Sequence, residues 1–574
     1  MLGNPILRAP VGDDAQRWNT FHGQRVLVVA ARTVTSTVRI LESLPALLRG
    51  DSRVTVVFAY DPTSAFNDGV LALLNGAGCR VMPWEQLGQV APDLVLSASE
   101  NIDVPEGDCP VLVLPHGVGF QKLVPDSRGT GERLSGVVPD ALLEAGRAWL
   151  AVSHPSQEEQ LVAAHPKAAG RVLLAGDACY DDLVASRAWR AAYREALGIA
   201  EHQRLVMVSS TWGPTSLLGQ VPDLPARLLA ELPHDEFRVG AIVHPNVWSA
   251  HGTWQLRTTQ APALDAGLLL MPPVHAWRAG LVAADVVIGD HGSVTLYGAA
   301  LGTPLLLAAF GSDSVPGTAA HRLADLAPRL VLHHGLRQQI EETVRDHSRE
   351  RYAAVARQAF ADPGQALARL RTALYRLLKL PEPGTPPPTA RALPLPDAPD
   401  VTPPTAWRVA TAVAERSGRT CVTVERTPAT VLDHAGPGAV PPETADRFVH
   451  LAASDAEPDR RLVESASVVV RRAPATAPAE ALRWAHAALA DLPGSLLAAS
   501  AVRDSGALVG LRDGRVVEVV ATGGDVAPGL LAAVVYGCLR AGHPVAGETV
   551  TLRIGAARTE DVTLRLRPAA PATG

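Results

Sequence analysis

Cysteine pairs, a leader segment and long apolar runs are all missing from this sequence of 574 residues. The five cysteines lie far apart, so neither a C-x-x-C metal or redox pair nor a disulfide framework is expected: Cys79, Cys109, Cys179, Cys421 and Cys538. The first residues lack a basic segment followed by a long apolar run, so no secretory signal is predicted. No apolar stretch approaches the ~20 residues that cross a bilayer. These absences predict a cytoplasmic protein without an integral membrane segment.

A net positive charge is also lacking. The formal net charge is -6, which gives no overall attraction to nucleic acid or to an anionic membrane, although a basic cleft for an anionic substrate stays open. The chain is too long for one hydrophobic core, and its 47% of hydrophobic residues is typical of globular proteins. Two to four domains and no nucleic-acid partner are therefore predicted.

Strand and helix patterns alternate through the first two thirds of the chain. A G-x-G-x-x-G motif is absent after the first strand, which argues against a dinucleotide site there. Continuous apolar runs separated by helical segments predict an α/β chain with two doubly wound lobes and a cleft between their facing loops. The predicted order is a first lobe, a second lobe, a spacer with ten prolines among 24 residues, and a small α+β domain: residues 1–180, 181–380, 381–404 and 405–574.

Residues 281–310 contain the strongest local site signal. An apolar strand at 285–289 is followed by Asp290-His291-Gly292-Ser293 and a helix of small residues. The unpaired first-turn N–H groups of Ser293, Val294 and Thr295, together with the helix dipole, suit a phosphate. In the other interpretation, Ser293 only caps the helix and Asp290 only ties the turn.

A second candidate lies after the apolar run that ends at Leu114. His116 would stand at the carboxyl edge of the sheet, where open α/β sheets bind ligands. Gly117 would let the backbone approach a substrate closely. A neutral histidine there could take a proton from a hydroxyl nucleophile, or it could only hydrogen-bond its own loop.

These motifs occur in an order that resembles a known family. The ordered residues are His116, Gly117 and Lys122; Gly176 and Asp177; Thr211 and Trp212; His244 and Pro245; and Asp290, Ser293, Gly302 and Pro304. Over residues 25–375 the set resembles the CDP-glycerol glycerophosphotransferase family of teichoic-acid polymerases. It is similar, more loosely, to UDP-N-acetylglucosamine 2-epimerases. The resemblance implies two Rossmann-like lobes in the GT-B glycosyltransferase arrangement.

The resemblance also implies roles for single residues. His116 would be the base on the acceptor side, and a protonated His244 would contact the donor's phosphates. The donor pyrophosphate would be held by Ser293 and its helix N-terminus, with help from Thr211 and His291, while Asp290 would orient the loop or act in catalysis. No metal and no cofactor are implied, because the nucleotide-diphosphate donor is itself the substrate. The implied partner is a nucleotide-activated small molecule, and a homo-oligomer is left open.

The chain departs from the polymerase family at the donor loop. The family has a tyrosine and paired serines there, whereas this sequence has His291, Gly292 and the single Ser293. Three functions therefore remain open. The first is transfer of a glycosyl or glycerophosphoryl group from a nucleotide-activated donor. The second is a non-catalytic module of the same fold that binds a nucleotide or a partner, and the third is a UDP-sugar 2-epimerase.

Residues 405–574 carry no comparable motif. Patterns predict a helix at 406–416, a strand at 420–426, a hairpin at 506–520, a helix at 528–540 and a last strand at 549–554. His434, His450 and His543 are isolated in the sequence and are not predicted to act. Residues 523–525 could bind an anion but more simply form a loop. A binding or dimerisation role is the default for this domain.

Overall fold

The computed structural model describes residues 20–21, 23–125, 131–416, 418–436, 444, 446–503, 506–523, 526–556 and 558–567. In these segments no helix is both long and apolar enough to cross a bilayer. The predicted loop at 523–525 lies largely outside the described residues.

The first lobe is built on a parallel sheet. Seven strands, within the part of residues 23–175 that the structure describes, lie in the order β3-β2-β1-β4-β5-β8-β9. The strands, with the separate hairpin β6–β7, are β1 (Arg25–Ala31), β2 (Val54–Tyr60), β3 (Val81–Pro83), β4 (Leu94–Ser97), β5 (Val111–Val113), β6 (Leu123–Pro125), β7 (Glu132–Leu134), β8 (Ala148–Val152) and β9 (Val172–Leu174). The helices are α1 (Val34–Leu47), α2 (Val70–Gly76), α3 (Asp140–Glu144) and α4 (Pro155–Ala164). Both faces of the sheet are covered, which explains why its strands read as continuous apolar runs.

The second lobe repeats this plan. After α5 (Ala178–Ala185) and α6 (Arg190–Ala196), parallel strands lie in the order β12-β11-β10-β13-β14. They are β10 (Arg204–Ser210), β11 (Phe237–Val243), β12 (Leu269–Leu270), β13 (Val286–Gly289) and β14 (Leu305–Leu307). The helices are α7 (Leu217–Gln220), α8 (Leu224–Glu231), α9 (Pro245–Thr259), α10 (Ala261–Asp265), α11 (Ala276–Ala283), α12 (Ser293–Ala300), α13 (Ala319–Leu326), α14 (Leu336–Arg345), α15 (Ala353–Ala359) and α16 (Ala366–Leu377). In both sheets the strand order reverses beside the first strand, where doubly wound folds form a crevice.

The chain then leaves the second lobe in two steps. Helix α16 packs back into the first lobe's core, where Leu374 and Tyr375 are fully buried. The proline-rich stretch after it runs without regular structure along the second lobe. There the Tyr193 hydroxyl donates to the Leu393 carbonyl (2.8 Å), and the Leu393 side chain joins the core.

The C-terminal part is a closed β-barrel with a helix in its interior. Its described strands are β15 (Ala406–Arg416), β16 (Arg419–Pro428), β17 (Arg447–Ser454), β18 (Val468–Val470), β19 (Leu497–Val502), β20 (Gly506–Leu511), β21 (Val516–Ala521), β22 (Glu548–Ile554) and β23 (Arg558–Arg567). Its helices are α17 (Arg460–Ser465), α18 (Pro478–Asp491) and α19 (Pro528–Arg540). Residues 530–538 of α19 are all buried and share one core with residues from every barrel strand. Ion pairs from Arg426 to Asp235 (2.7 Å) and from Arg337 to Glu425 (2.9 Å) fix the barrel to the second lobe.

The α/β prediction is confirmed for the two lobes, while two predicted elements of the C-terminal part are wrong. Residues 406–416 form strand β15 and not a helix, because Val409, Thr411 and Val413 alternate into the core although the alanines between them favour a helix. The strand at 548–554 is not the last, since β23 follows it and pairs with both β22 and β21.

His450 on β17 faces the barrel interior and predicts an acid-sensitive stability. Its ring packs on Tyr536 (4.0 Å between centroids), and neither ring nitrogen has a hydrogen-bond partner among the described residues. Burial lowers the pKa of His450 to about 3. Between pH 6.5 and 3 the unfolded chain therefore binds a proton that the folded chain does not bind. As the pH decreases through this range, the free energy of unfolding decreases by up to ~1.4 kcal/mol per pH unit.

Replacing His450 with phenylalanine should remove this penalty. We expect the barrel of His450→Phe to gain about 2 kcal/mol over the parent on going from pH 8 to pH 5, measured by denaturant unfolding at both pH values. His202→Phe, at an exposed position, is the control. An unchanged pH dependence in His450→Phe would contradict the buried neutral state.

Candidate active site in the cleft between the lobes

The two lobes enclose a cleft of about 600 Å³ at the carboxyl ends of both parallel sheets. Loops after β1, β4 and β5 form one wall, and loops after β10, β11 and β13 form the other. Of the residues predicted from the sequence, eight line the cleft: His116, Gly117, Thr211, His244, His291, Gly292, Ser293 and Val294. Asp290 and Thr295 lie beneath its floor, fully buried.

His116 is held in one tautomer. Its Nδ1 lies 3.1 Å from the Ala98 carbonyl oxygen. Because a carbonyl can only accept, Nδ1 carries the proton, and Nε2 of the neutral ring is a free base. The ring therefore hydrogen-bonds the loop after β4 and not its own loop, and its second nitrogen is left available for chemistry.

Ser293 begins helix α12 and joins the lobes. The helix cap is Gly292, so the interpretation in which Ser293 caps the helix is wrong. The Ser293 hydroxyl instead accepts a hydrogen bond from the Val118 N–H of the first lobe (3.0 Å) and keeps its own proton to donate. A Cβ atom at Gly117 would lie 2.6 Å from this oxygen, so only glycine permits the approach. The N–H groups of the first helical turn remain without intrahelical partners.

Asp290 organises the donor loop from below. Its carboxylate accepts from the N–H groups of Thr211 (2.8 Å), Leu217 (2.9 Å) and Gly292 (2.9 Å). The bond to Gly292 ties the turn, as one interpretation of the sequence predicted. Thr295 supports the same loop, because its hydroxyl accepts from the Asp290 N–H (3.2 Å). Neither side chain reaches the cleft, so their geometry suits positioning and not contact with a substrate.

His291 has both ring nitrogens engaged within the protein. Nδ1 accepts from the Gly311 N–H (3.1 Å), so Nε2 carries the proton and donates to Asp313 (3.2 Å). Asp313 in turn pairs with Lys122 of the first lobe (2.9 Å). His291 therefore shapes the cleft wall and links the lobes, and its ring nitrogens are not free for a phosphate.

His244 stands at the N-terminus of α9 on the second-lobe wall. Its Nδ1 accepts from the Asn246 N–H (3.1 Å), which places the ring proton on Nε2. Burial, together with repulsion from His116 and Lys122, lowers the pKa of His244 to about 3. In this structure the residue is therefore a neutral hydrogen-bond donor, and its protonation beside a donor phosphate stays a prediction.

Two networks that the sequence analysis missed frame the cleft. In one, Arg39 of α1 donates to the His116 carbonyl (3.3 Å) and to the Tyr297 hydroxyl of α12 (3.2 Å). That hydroxyl donates to Asp177 (2.7 Å). In the other, Glu100 pairs with Arg133 (3.1 Å), and both side chains line the cleft. Burial alone would raise the pKa of Glu100, but His116 and Arg133 outweigh it, and the pKa lies below its usual value.

Trp212 crosses the cleft mouth. Its ring lies 5.3 Å from that of Phe66 and 5.2 Å from the ammonium group of Lys122, both in the first lobe.

In the portion of the chain that the structure describes, no cluster of three or more His, Cys, Asp or Glu side chains is placed to hold a metal ion.

Similar folds occur among solved structures, whereas no protein-family model and no curated protein sequence matches the chain. The wall teichoic acid polymerase TagF shares 12% identity, with 62% of this chain and 90% of that chain covered and a TM-score of 0.42. A UDP-GlcNAc 2-epimerase from Neisseria meningitidis shares 13% (62% and 99% covered, TM-score 0.37). A glycosyltransferase from Rickettsia africae ESF-5 shares 12% (62% and 99% covered, TM-score 0.35). These structures include a teichoic acid polymerase and a UDP-GlcNAc 2-epimerase, the two groups of proteins that the ordered motifs resemble.

Proposed function

We propose that this protein is a transferase that moves a glycosyl or glycerophosphoryl group from a nucleotide-activated donor to an acceptor hydroxyl in the cleft. The observation that carries the proposal is that a histidine with a free ring nitrogen and a helix N-terminus suited to an anion line one cavity from opposite walls. Nε2 of His116 is free on the first-lobe wall, and the N-terminus of α12 opens on the second-lobe wall. No cofactor is part of the proposal, because the donor is the substrate.

The charge changes of such a transfer fit the two walls. The acceptor hydroxyl would lose its proton to His116 while its oxygen attacks the donor. The bond to the departing phosphate oxygen breaks, and that oxygen keeps the electron pair. Hydrogen bonds from the first turn of α12, the Ser293 hydroxyl and the Nε2–H of His244 would stabilise the growing negative charge on the leaving nucleotide.

The leaving group separates the two kinds of transfer. Attack at a sugar carbon releases a nucleoside diphosphate, whereas attack at the phosphorus that carries glycerol releases a nucleoside monophosphate. We would first measure binding of CDP- and UDP-linked donors by calorimetry, and then identify the released nucleotide by chromatography. Donor binding without any release, across a panel of acceptors, would favour a binding module over an enzyme.

Ser293→Ala tests the donor side. Loss of one hydrogen bond to the donor should weaken donor binding by about 2- to 10-fold, since such a bond contributes roughly 0.5–1.5 kcal/mol. Thr258→Ala, exposed on α9, is the matched control and should bind like the parent. Equal donor affinity in Ser293→Ala and the parent would remove Ser293 from the proposed donor site.

A sugar-nucleotide epimerase is the second candidate, and the cleft carboxylates favour it. Acid–base chemistry at carbon needs such groups. Asp177 and Asp290, the carboxylates of the ordered motifs, do not line the cleft, but Glu42 and Glu100 do. Incubation of a UDP-sugar in D₂O without an acceptor distinguishes the two functions. Inversion at C2 with deuterium incorporation would support the epimerase, and an unchanged sugar would support the transferase.

A further inference from the structure

Glu100 lies in the same loop as Ala98, the residue whose carbonyl accepts the hydrogen bond from the His116 ring. The loop follows β4, and it is folded tightly, since the Ser99 N–H donates to the Ser97 hydroxyl (3.0 Å). The Ala98 carbonyl in this loop accepts from His116 Nδ1 (3.1 Å), and Glu100 stands two residues further on. Only 7% of Glu100 is exposed, yet it lines the cleft.

Arg133 keeps this carboxylate in place. One Arg133 nitrogen donates both to Glu100 (3.1 Å) and to the neighbouring Asn101 side chain (2.9 Å). Arg133 lies on β7 of the hairpin, so the loop after β4 is held from a separate element. A buried carboxylate with such a partner stays ionised and fixed in position.

Most of the other charged groups around His116 are positive, and the carboxylates among them are paired. Arg39 lies at its backbone carbonyl, and Lys122 belongs to the same lobe and pairs with Asp313 (2.9 Å). His244 lies on the opposite wall. Glu42 is the other cleft carboxylate, and it is engaged with Arg278 (2.8 Å) and His275 (3.0 Å) of the second lobe. Both of these carboxylates belong to the first lobe, and Glu100 is the one whose charge interacts with His116.

We propose that Glu100 is a positioning residue for the transfer reaction, in which its carboxylate, clamped by Arg133, stabilises the imidazolium that His116 becomes. This inference rests on the proposed function. The acceptor O–H bond breaks, its proton moves to Nε2, and its oxygen bonds to the donor as the nucleotide departs with the electron pair. The positive charge that appears on His116 lies beside a fixed negative charge, so the proton transfer is favoured without a change in donor contacts.

Glu100→Gln tests this role because it keeps the shape of the side chain and removes its charge. We expect kcat for transfer to fall by roughly 10- to 100-fold, a part of what a general base supplies, with donor Kd and KM unchanged. Glu100→Asp should recover part of the loss. An acceptor with a more acidic hydroxyl needs less help from a base. With such an acceptor, the ratio of the parental kcat to the kcat of Glu100→Gln should therefore be smaller. A merely structural defect would affect both acceptors equally.

Asp61→Asn is the matched control. Asp61 pairs with Arg32 (3.0 Å) at the end of β2, with side-chain exposures of 6% and 18% against 8% and 17% for Glu100 and Arg133. We expect it to keep the parental kcat per folded molecule. If Glu100→Gln does not fold, Arg133→Lys, which loosens the clamp and keeps the charge, should lower kcat while donor binding persists.

The possible failures can be told apart. A parent that binds donors but never transfers overturns the proposed function. A parent that transfers, with Glu100→Gln turning over at the parental rate or losing rate equally with every acceptor, overturns the role of Glu100 alone.

Discussion

His116→Ala is expected to lose about 10²- to 10⁴-fold in turnover while its donor affinity stays within about twofold of the parent, as removal of a general base predicts. The reason is geometric. The ring lies on the first-lobe wall with Nε2 free, and the predicted donor contacts lie on the opposite wall. Turnover would be followed by nucleotide release and affinity by calorimetry.

A second substitution separates chemistry from loop structure. In His116→Asn the amide nitrogen stands at the same number of bonds from the backbone as Nδ1, so it can still donate to the Ala98 carbonyl. The asparagine side chain cannot act as a base, so we expect the turnover of His116→Asn to be as slow as that of His116→Ala. We expect His116→Asn to be the more stable of the two variants. His202→Ala, at an exposed position, should behave like the parent. Substantial turnover by both His116 variants would refute His116 as the base.

The largest effect on stability is expected at Arg39. Arg39→Met removes the donor that reaches the His116 carbonyl and the Tyr297 hydroxyl, and it leaves Asp177 buried without its cationic neighbour (3.9 Å). Breaking a buried charged network in this way costs about 3–5 kcal/mol. Because the network joins α1 to α12, we expect the loss in the unfolding of the two lobes.

Denaturant unfolding followed by tryptophan fluorescence measures this effect. The barrel has its own core, so its transition should keep the parental midpoint and serve as an internal reference. Arg369→Met is the external control, because Arg369 pairs with an Asp362 side chain that is 62% exposed, and such pairs contribute about 0–1 kcal/mol. A loss at Arg39→Met no larger than at Arg369→Met would show that the network does not stabilise the lobes.

The sheet edges are where sequence reasoning succeeded. Strands buried on both faces read as apolar runs, and the strand predicted at 285–289 is β13 (Val286–Gly289). Polar residues that follow such strands must gather at one edge, which placed His116, Thr211, His244 and Ser293 around one cleft before the structure was known.

The missed residues depend on contacts between distant parts of the chain. Glu100 follows β4 and could have been found by the same edge argument, but Arg39 and Tyr297 lie inside helices and acquire their roles only when the lobes meet. The protonation state of His244 likewise depends on burial that no local pattern encodes. Strand β15 was misread because alanine favours a helix when burial is unknown.

The barrel has a consequence for how the chain folds during synthesis. Strand β16 pairs with β22, so the pairing of Cys421 with Thr551 can form only after Thr551 has left the ribosome. In the same way, β21 can pair with β23 only after β23 has been made. Helix α19 is made between these partners and after strands β15 to β20, which it packs against, so it can pack on an open sheet before the barrel closes. The lobes can fold while translation continues, whereas the barrel closes only after residue 567 has emerged. In that interval the unpaired edges of β16 and β21 are open to aggregation.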